Sequence, residues 1–166
     1  MFLDHCIAMN LLMIGELKEH AGIALTGELV YGYLILHGVY GVVVTIANYQ
    51  RNKVAGGNLY LRQNKGFSVQ FISGILLLVM AVFHVLTMEQ FVKRPGICSS
   101  VILVLFVLMI CIHMVISFPK AMISIGAVQK KWMLSLYKWI MAVLCCGVFM
   151  GSVYGVIHYY LRGGAV

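Results

Sequence analysis

The chain has 166 residues, of which 62% are hydrophobic and only 10% charged, and its formal net charge is +7. A soluble domain carries about a quarter charged residues, so this balance excludes an ordinary soluble fold and points to a single integral membrane domain over residues 1–166. The basic residues fall in short stretches between apolar runs, which is the positive-inside pattern of a membrane protein and not a nucleic-acid footprint.

Met1 to Gly15 is apolar except for Asp4, His5 and Asn10. It is short of the ~20 residues a membrane helix needs and reads as the second half of a span whose first half is absent. It lacks the basic n-region of a signal peptide. A polar connection, Glu16 to His20, follows. The second helix is expected over Ala24 to Asn48, then a loop from Tyr49 to Gly66 with a turn at Gly56-Gly57. The third helix is expected over Phe67 to Met88, followed by a short loop, Glu89 to Gly96, containing Pro95. The fourth runs from Ile97 to Phe118, where Pro119 ends or kinks it. Lys120 to Lys131 is a semi-polar connection, and the last helix covers Trp132 to Leu161. That helix carries Trp132, Tyr137 and Trp139 at one end and Tyr154, Tyr159 and Tyr160 at the other, an aromatic belt at both interfaces. Gly147, Gly151 and Gly155 form a small-residue stripe along it. Such a stripe lets a second helix approach closely, or is merely tolerated.

The result is an all-α membrane bundle with four complete transmembrane helices and a partial first one. The five cysteines, Cys6, Cys98, Cys111, Cys145 and Cys146, form no Cys-x-x-Cys pair and read as small hydrophobes. Eight basic residues lie at one side: Arg51, Lys53, Arg62, Lys65, Lys120, Lys130, Lys131 and Lys138. Four lie at the other: Lys18, Lys93, Arg94 and Arg162. The first side is therefore cytoplasmic and the C-terminus outside.

An ionisable residue inside a span is costly and is by default a functional-site hypothesis. A single intramembrane histidine often does no more than hydrogen-bond between helices. Here there are four, and at 1.5 Å per residue they sort by depth. His5 and His84 fall in the outer half of helices that rise outward. His37 and His113 fall on the inner side of helices that descend. His20 and His158 lie at interfaces and read as non-ligands. Two imidazoles at one depth on two helices are what a bis-histidine haem requires, so two such pairs would hold two stacked haems. Gly41, one turn from His37, leaves room for a flat macrocycle, with Tyr33 one turn the other way. Gln70 and Ser73 share a helical face with His84, three to four turns nearer the cytoplasm, where they, with Arg62 and Lys65, could meet the propionates of an inner haem.

These residues carry a family resemblance. The chain is similar to the di-haem cytochrome b subunit that anchors succinate dehydrogenase or quinol:fumarate reductase in bacterial membranes. The family's His-x-x-Tyr-Gly is seen as His37-Gly38-Val39-Tyr40-Gly41. Its Leu-Gln-Arg-x-Thr/Ser-Gly, followed ten residues later by a His, is seen as Val69-Gln70-Phe71-Ile72-Ser73-Gly74 and His84. Its Phe-His is Ile112-His113, and its first ligand matches His5 in Phe2-Leu3-Asp4-His5. The likeness covers nearly the whole chain and is strongest from Leu34 to Leu86. The chain departs from the pattern at Phe71, which stands for the arginine, and at Ser117-Phe118-Pro119. It also departs at Cys111, where some members carry a proton-moving glutamate.

The resemblance implies haem b as cofactor, with His5, His37, His84 and His113 as iron ligands, the first paired with the third and the second with the fourth. The outer haem rests on the incomplete first helix. It implies quinone as substrate, flavoprotein and iron–sulfur subunits as partners, membrane lipid as surroundings, and the bacterial cytoplasmic membrane as location. It gives the chain no chemistry on succinate: the subunit relays electrons and is not itself catalytic. Glu28, near the outer start of the second helix, could exchange protons with a quinone or be a solvated interfacial carboxylate. Two other readings stay open: a di-haem quinone- or ascorbate-linked transmembrane reductase without a flavoprotein partner, and a haem-free helical transporter or scaffold. No inverted repeat or mid-helix break of the transporter kind is seen.

Overall fold

The computed structural model describes residues 2–15, 21–55, 65–94, 96–128 and 130–162. Among these residues it is entirely helical: α1 (Phe2–Met13), α2 (Ala21–Ala55), α3 (Lys65–Lys93), α4 (Ile97–Ser124) and α5 (Lys131–Leu161). α2 to α5 each contain a stretch long and apolar enough to cross a bilayer, whereas α1 with 12 residues does not. The protein is thus a multi-pass helical membrane protein. His20, Gly56, Gly57, Asn58, Arg62 and Pro95 lie outside the described residues, as do the side chains of Arg51, Lys53 and Lys65.

Two helix limits differ from the sequence reading in an informative way. α2 continues through the polar residues after Asn48 as far as Ala55. Loss of apolar character marks the edge of the hydrocarbon, not the end of intrahelical hydrogen bonding, so hydropathy reports the span and not the helix. α4 continues past Pro119, which is buried inside it. A membrane helix tolerates such a proline where neighbouring groups take up the freed carbonyl. The stop is supplied instead by Gly126, whose φ of +76° suits glycine. Ala127 N–H donates to the Met122 carbonyl and Gly126 N–H to that of Ile123, both at 3.0 Å. That is the paired bonding of a Schellman stop. The consequence reaches the site: Lys120 belongs to the last turns of α4 and not to a connection.

The helices pack in a ring that follows chain order. α1 touches α2, α2 touches α3, α3 touches α4, α4 touches α5, and α5 closes back on α1. The α3–α4–α5 side is the firmest part. α2 is the least embedded, with Val30 its one buried residue among those described. At the end that the basic-residue count makes the outer one, Met13, Phe91, Leu103, Val156 and Tyr159 form a core drawn from α1, α3, α4 and α5. The rings of Phe91 and Tyr159 lie 5.3 Å apart. Below it Ala81, Phe106 and Ile110 join α3 to α4.

α1 lies parallel to α5. Asn10 Nδ2 donates to Ser152 Oγ at 3.3 Å, and Arg162 Nη1 donates to the Ile14 carbonyl at 3.4 Å, where a cation complements a helix C-terminus. The glycine stripe of α5 serves this contact at two of its three positions. A Cβ on Gly155 would stand 3.2 Å from Asn10 Oδ1, and one on Gly151 would stand 3.6 Å from Asn10 Nδ2. Gly147 has nothing within 4 Å. Of the cysteines, Cys111 is buried and donates its Sγ–H to the Cys145 carbonyl at 3.4 Å, a bond between α4 and α5.

The orientation derived from basic residues has a direct check. A cysteine introduced for Asn58 in intact cells should resist a membrane-impermeant maleimide applied from outside and react only after the membrane is opened. Efficient labelling from outside would invert the topology.

Candidate functional site

Because α3 enters at Lys65 and α4 leaves at Ser124, their shared interface can be read as a ladder from outside to inside. Phe91 and Leu103 lie at the top, in the outer core. His84 and Phe106 come next, their rings stacked at 4.9 Å and 26°. Further in, His113 rests against Gly74: a Cβ on that glycine would stand 3.4 Å from His113 Cε1. Lys120 and Gln70 form the lowest rung, with Lys120 Nζ donating to Gln70 Oε1 at 2.9 Å. Counting from His84 to Gly74 and from Phe106 to His113, the two histidine levels are about 10–15 Å apart along the helices.

Two of the four intramembrane histidines come together. His5 and His84 line one cavity, together with Met9, Asn10, Phe106 and Ser152. His5 packs on α2, where a Cβ on Gly27 would stand 3.2 Å from its Cε1. Its Nδ1 is buried with no hydrogen-bond partner, an orphaned polar atom of the kind that native interiors rarely leave. His37 is not among the residues that line this cavity. It is exposed on α2, with its ring 6.1 Å from that of Tyr33. Among the described residues no three His, Cys, Asp or Glu side chains converge.

The hydrogen bonds around His113 assign its tautomer. Ser73 Oγ lies 3.0 Å from the Gln70 carbonyl, an acceptor, and 2.9 Å from His113 Nδ1. A hydroxyl has one proton. With that proton given to the carbonyl, Ser73 Oγ must accept from Nδ1–H. Nε2 then carries the lone pair, which accepts from Ser117 Oγ–H at 3.3 Å. An imidazole held through Nδ1–H, with its lone pair on Nε2, is the tautomer that serves as a metal ligand, and Ser117 must turn aside for Nε2 to meet a metal.

The donor chemistry therefore suits a bis-imidazole haem at both levels, but the space differs. At the inner level His37 is exposed and Gly41 has nothing within 4 Å of its Cβ position, so the site opens past α2. At the outer level the cavity between His5 and His84 measures about 60 Å³, against ~300–1,000 Å³ for ordinary cofactor sites. A macrocycle there requires α1 or α2 to stand further off.

Three contributors were not singled out from sequence. Ser117 and Lys120 follow His113 by four and seven residues, one and two turns along the same face. Ser117 fell inside the expected helix and its register was readable, whereas ending the helix at Phe118 hid Lys120. Phe106, against His84, had no signal beyond being one apolar residue among many. Ser73 meets the His113 ring, and Gln70 meets Lys120, rather than standing alone on an open face. Glu28 is exposed. His158 has its ring 5.8 Å from that of Tyr154, in the last turns of α5. Against family models, curated proteins and solved structures alike, the chain finds no match.

Proposed function

We propose that this chain is the haem-binding membrane-anchor subunit of a bacterial succinate dehydrogenase or fumarate reductase, relaying electrons between an iron–sulfur subunit and membrane quinone. One observation carries the reading: His5 and His84 line one cavity, and His113 lies further along the same α3–α4 interface against Gly74, with His37 taken as its partner from the family resemblance. Haem b bound between such imidazoles supplies a one-electron carrier whose potential is set by ligation and burial.

The chain's own residues would hold and tune it. His113, fixed as the Nδ1–H tautomer by Ser73, presents its Nε2. Gly74 and Gly41 keep side-chain bulk away from the inner level. Lys120 and Gln70, about two turns further in, offer the cationic and amide donors that carboxylates accept. The buried Nδ1 of His5 leaves a donor or acceptor to be met at the outer level. The excess of basic residues at the inner side supports docking of an iron–sulfur subunit there, and succinate chemistry belongs to a flavoprotein partner.

Purification of the chain with its native partners tests the proposal. The expected result is two haem b per chain by pyridine haemochrome assay, low-spin bis-imidazole spectra, and co-eluting flavin and iron–sulfur subunits. A preparation devoid of haem would overturn it. Haem without those subunits would turn the assignment toward a stand-alone transmembrane reductase.

A further inference from the structure

A second feature lies away from the histidines, where the inner ends of α4 and α5 diverge. An open groove of about 580 Å³ runs between them, walled by Ile116, Pro119 and Lys120 on one side and Ser135, Lys138 and Trp139 on the other. Val115, Ile116 and Pro119 begin the α4 wall, Lys120 and Ile123 extend it beyond the proline, and α5, starting at Lys131, forms the other wall. Its remaining lining, with Val115, Ile123, Leu134 and Ala142, is apolar. Trp139 and Trp132 are both exposed, as residues of a membrane–water boundary are.

We propose that this groove seats an anionic phospholipid, with its phosphate between Lys120 and Lys138 and an acyl chain on the apolar lining. Charge complementarity selects the occupant. The sequence contains no Asp or Glu after Glu89, while Lys120, Lys130, Lys131 and Lys138 all fall at this end of α4 and α5. Neither helix therefore offers a carboxylate to a choline or ethanolamine ammonium, and both present cations to a phosphate. The Ser135 hydroxyl adds a neutral donor on the same wall. Basic pockets between transmembrane helices at one leaflet are a recurring form of anionic headgroup recognition. A groove that is mostly apolar and opens sideways fits a lipid rather than a free inorganic anion. Because Lys120 also donates to Gln70 and is offered above to a haem carboxylate, the test is made at Lys138, which has no part in the haem reading.

Native mass spectrometry of the full chain tests it, after reconstitution in vesicles of equal phosphatidylglycerol and phosphatidylcholine and gentle extraction. Wild type should retain phosphatidylglycerol in preference to phosphatidylcholine. Lys138→Gln should reduce that preference about fivefold, the effect of one interfacial cation, and Lys138→Arg should keep it. Lys93→Gln, at the opposite membrane face, should leave it unchanged. Ala142→Trp fills the groove with the lysines intact and should remove the retained lipid altogether. Equal retention of the two lipids, or an undiminished preference in Lys138→Gln, would overturn the proposal. So would retention of inorganic phosphate with no lipid adduct, which would make it a free-anion site.

Discussion

In His113→Ala, about half of the low-spin haem absorbance of the purified chain is expected to vanish, and His37→Ala should remove the same half. His5→Ala and His84→Ala should remove the other half, each mimicking its neighbour. The expectation follows from the proposed pairing: removal of either imidazole of a pair would cost a bound haem iron one ligand and with it the low-spin state. Ser73→Ala is expected to act differently from the ligand variants. It leaves Nδ1–H of His113 without its acceptor, so the inner signal should persist with a shifted potential instead of being lost. Redox-resolved spectra of the variants decide the matter. If His37→Ala and His113→Ala removed different components, the pairing would be wrong. If all four alanine variants retained full absorbance, haem ligation by these histidines would fail. The outer pair carries an additional expectation from its small cavity: its component should be the more easily lost on detergent extraction, because seating a macrocycle there moves helices that pack closely without it.

Gly155→Leu is expected to detach α1 from α5. A Cβ at that position already stands 3.2 Å from Asn10 Oδ1 and 3.7 Å from the Asn10 Cα and carbonyl oxygen. The side-chain oxygen could turn aside, but the backbone of α1 cannot, so the branched carbons of leucine must push the helix away. Overpacking of this kind costs about 1–3 kcal/mol, and the Asn10–Ser152 bond between helices, worth roughly 0.6 kcal/mol on average in membranes, goes with it. The melting temperature in detergent should fall, and the His5–His84 component should weaken while the inner one is spared. Gly147→Leu supplies the control, because nothing lies within 4 Å of its Cβ position. Equal damage from both substitutions would mean that α1 does not dock on the Gly151–Gly155 surface.

The number of apolar spans and their approximate limits were legible in the amino-acid order. The reason is physical: hydrocarbon thickness sets the length of an apolar run. Composition alone made the chain a membrane protein. Which helices stand side by side was not legible, because a bilayer solvates every apolar face equally well and leaves the choice to packing detail. The three glycines of α5 show the difference. Their spacing announces a surface for close approach, yet only Gly151 and Gly155 meet Asn10, and nothing in the spacing names α1 as the visitor. Pro119 shows it again. Taken as a helix end by local rule, it lies inside α4, and the real stop is the left-handed Gly126. That single difference carries Lys120 onto the face of His113 and Ser117, brings it to Gln70 and extends the groove it lines with Lys138. The tautomer of His113 likewise rests on Ser73, forty residues away in sequence, because one hydroxyl proton must be shared between a carbonyl and an imidazole that only folding brings together.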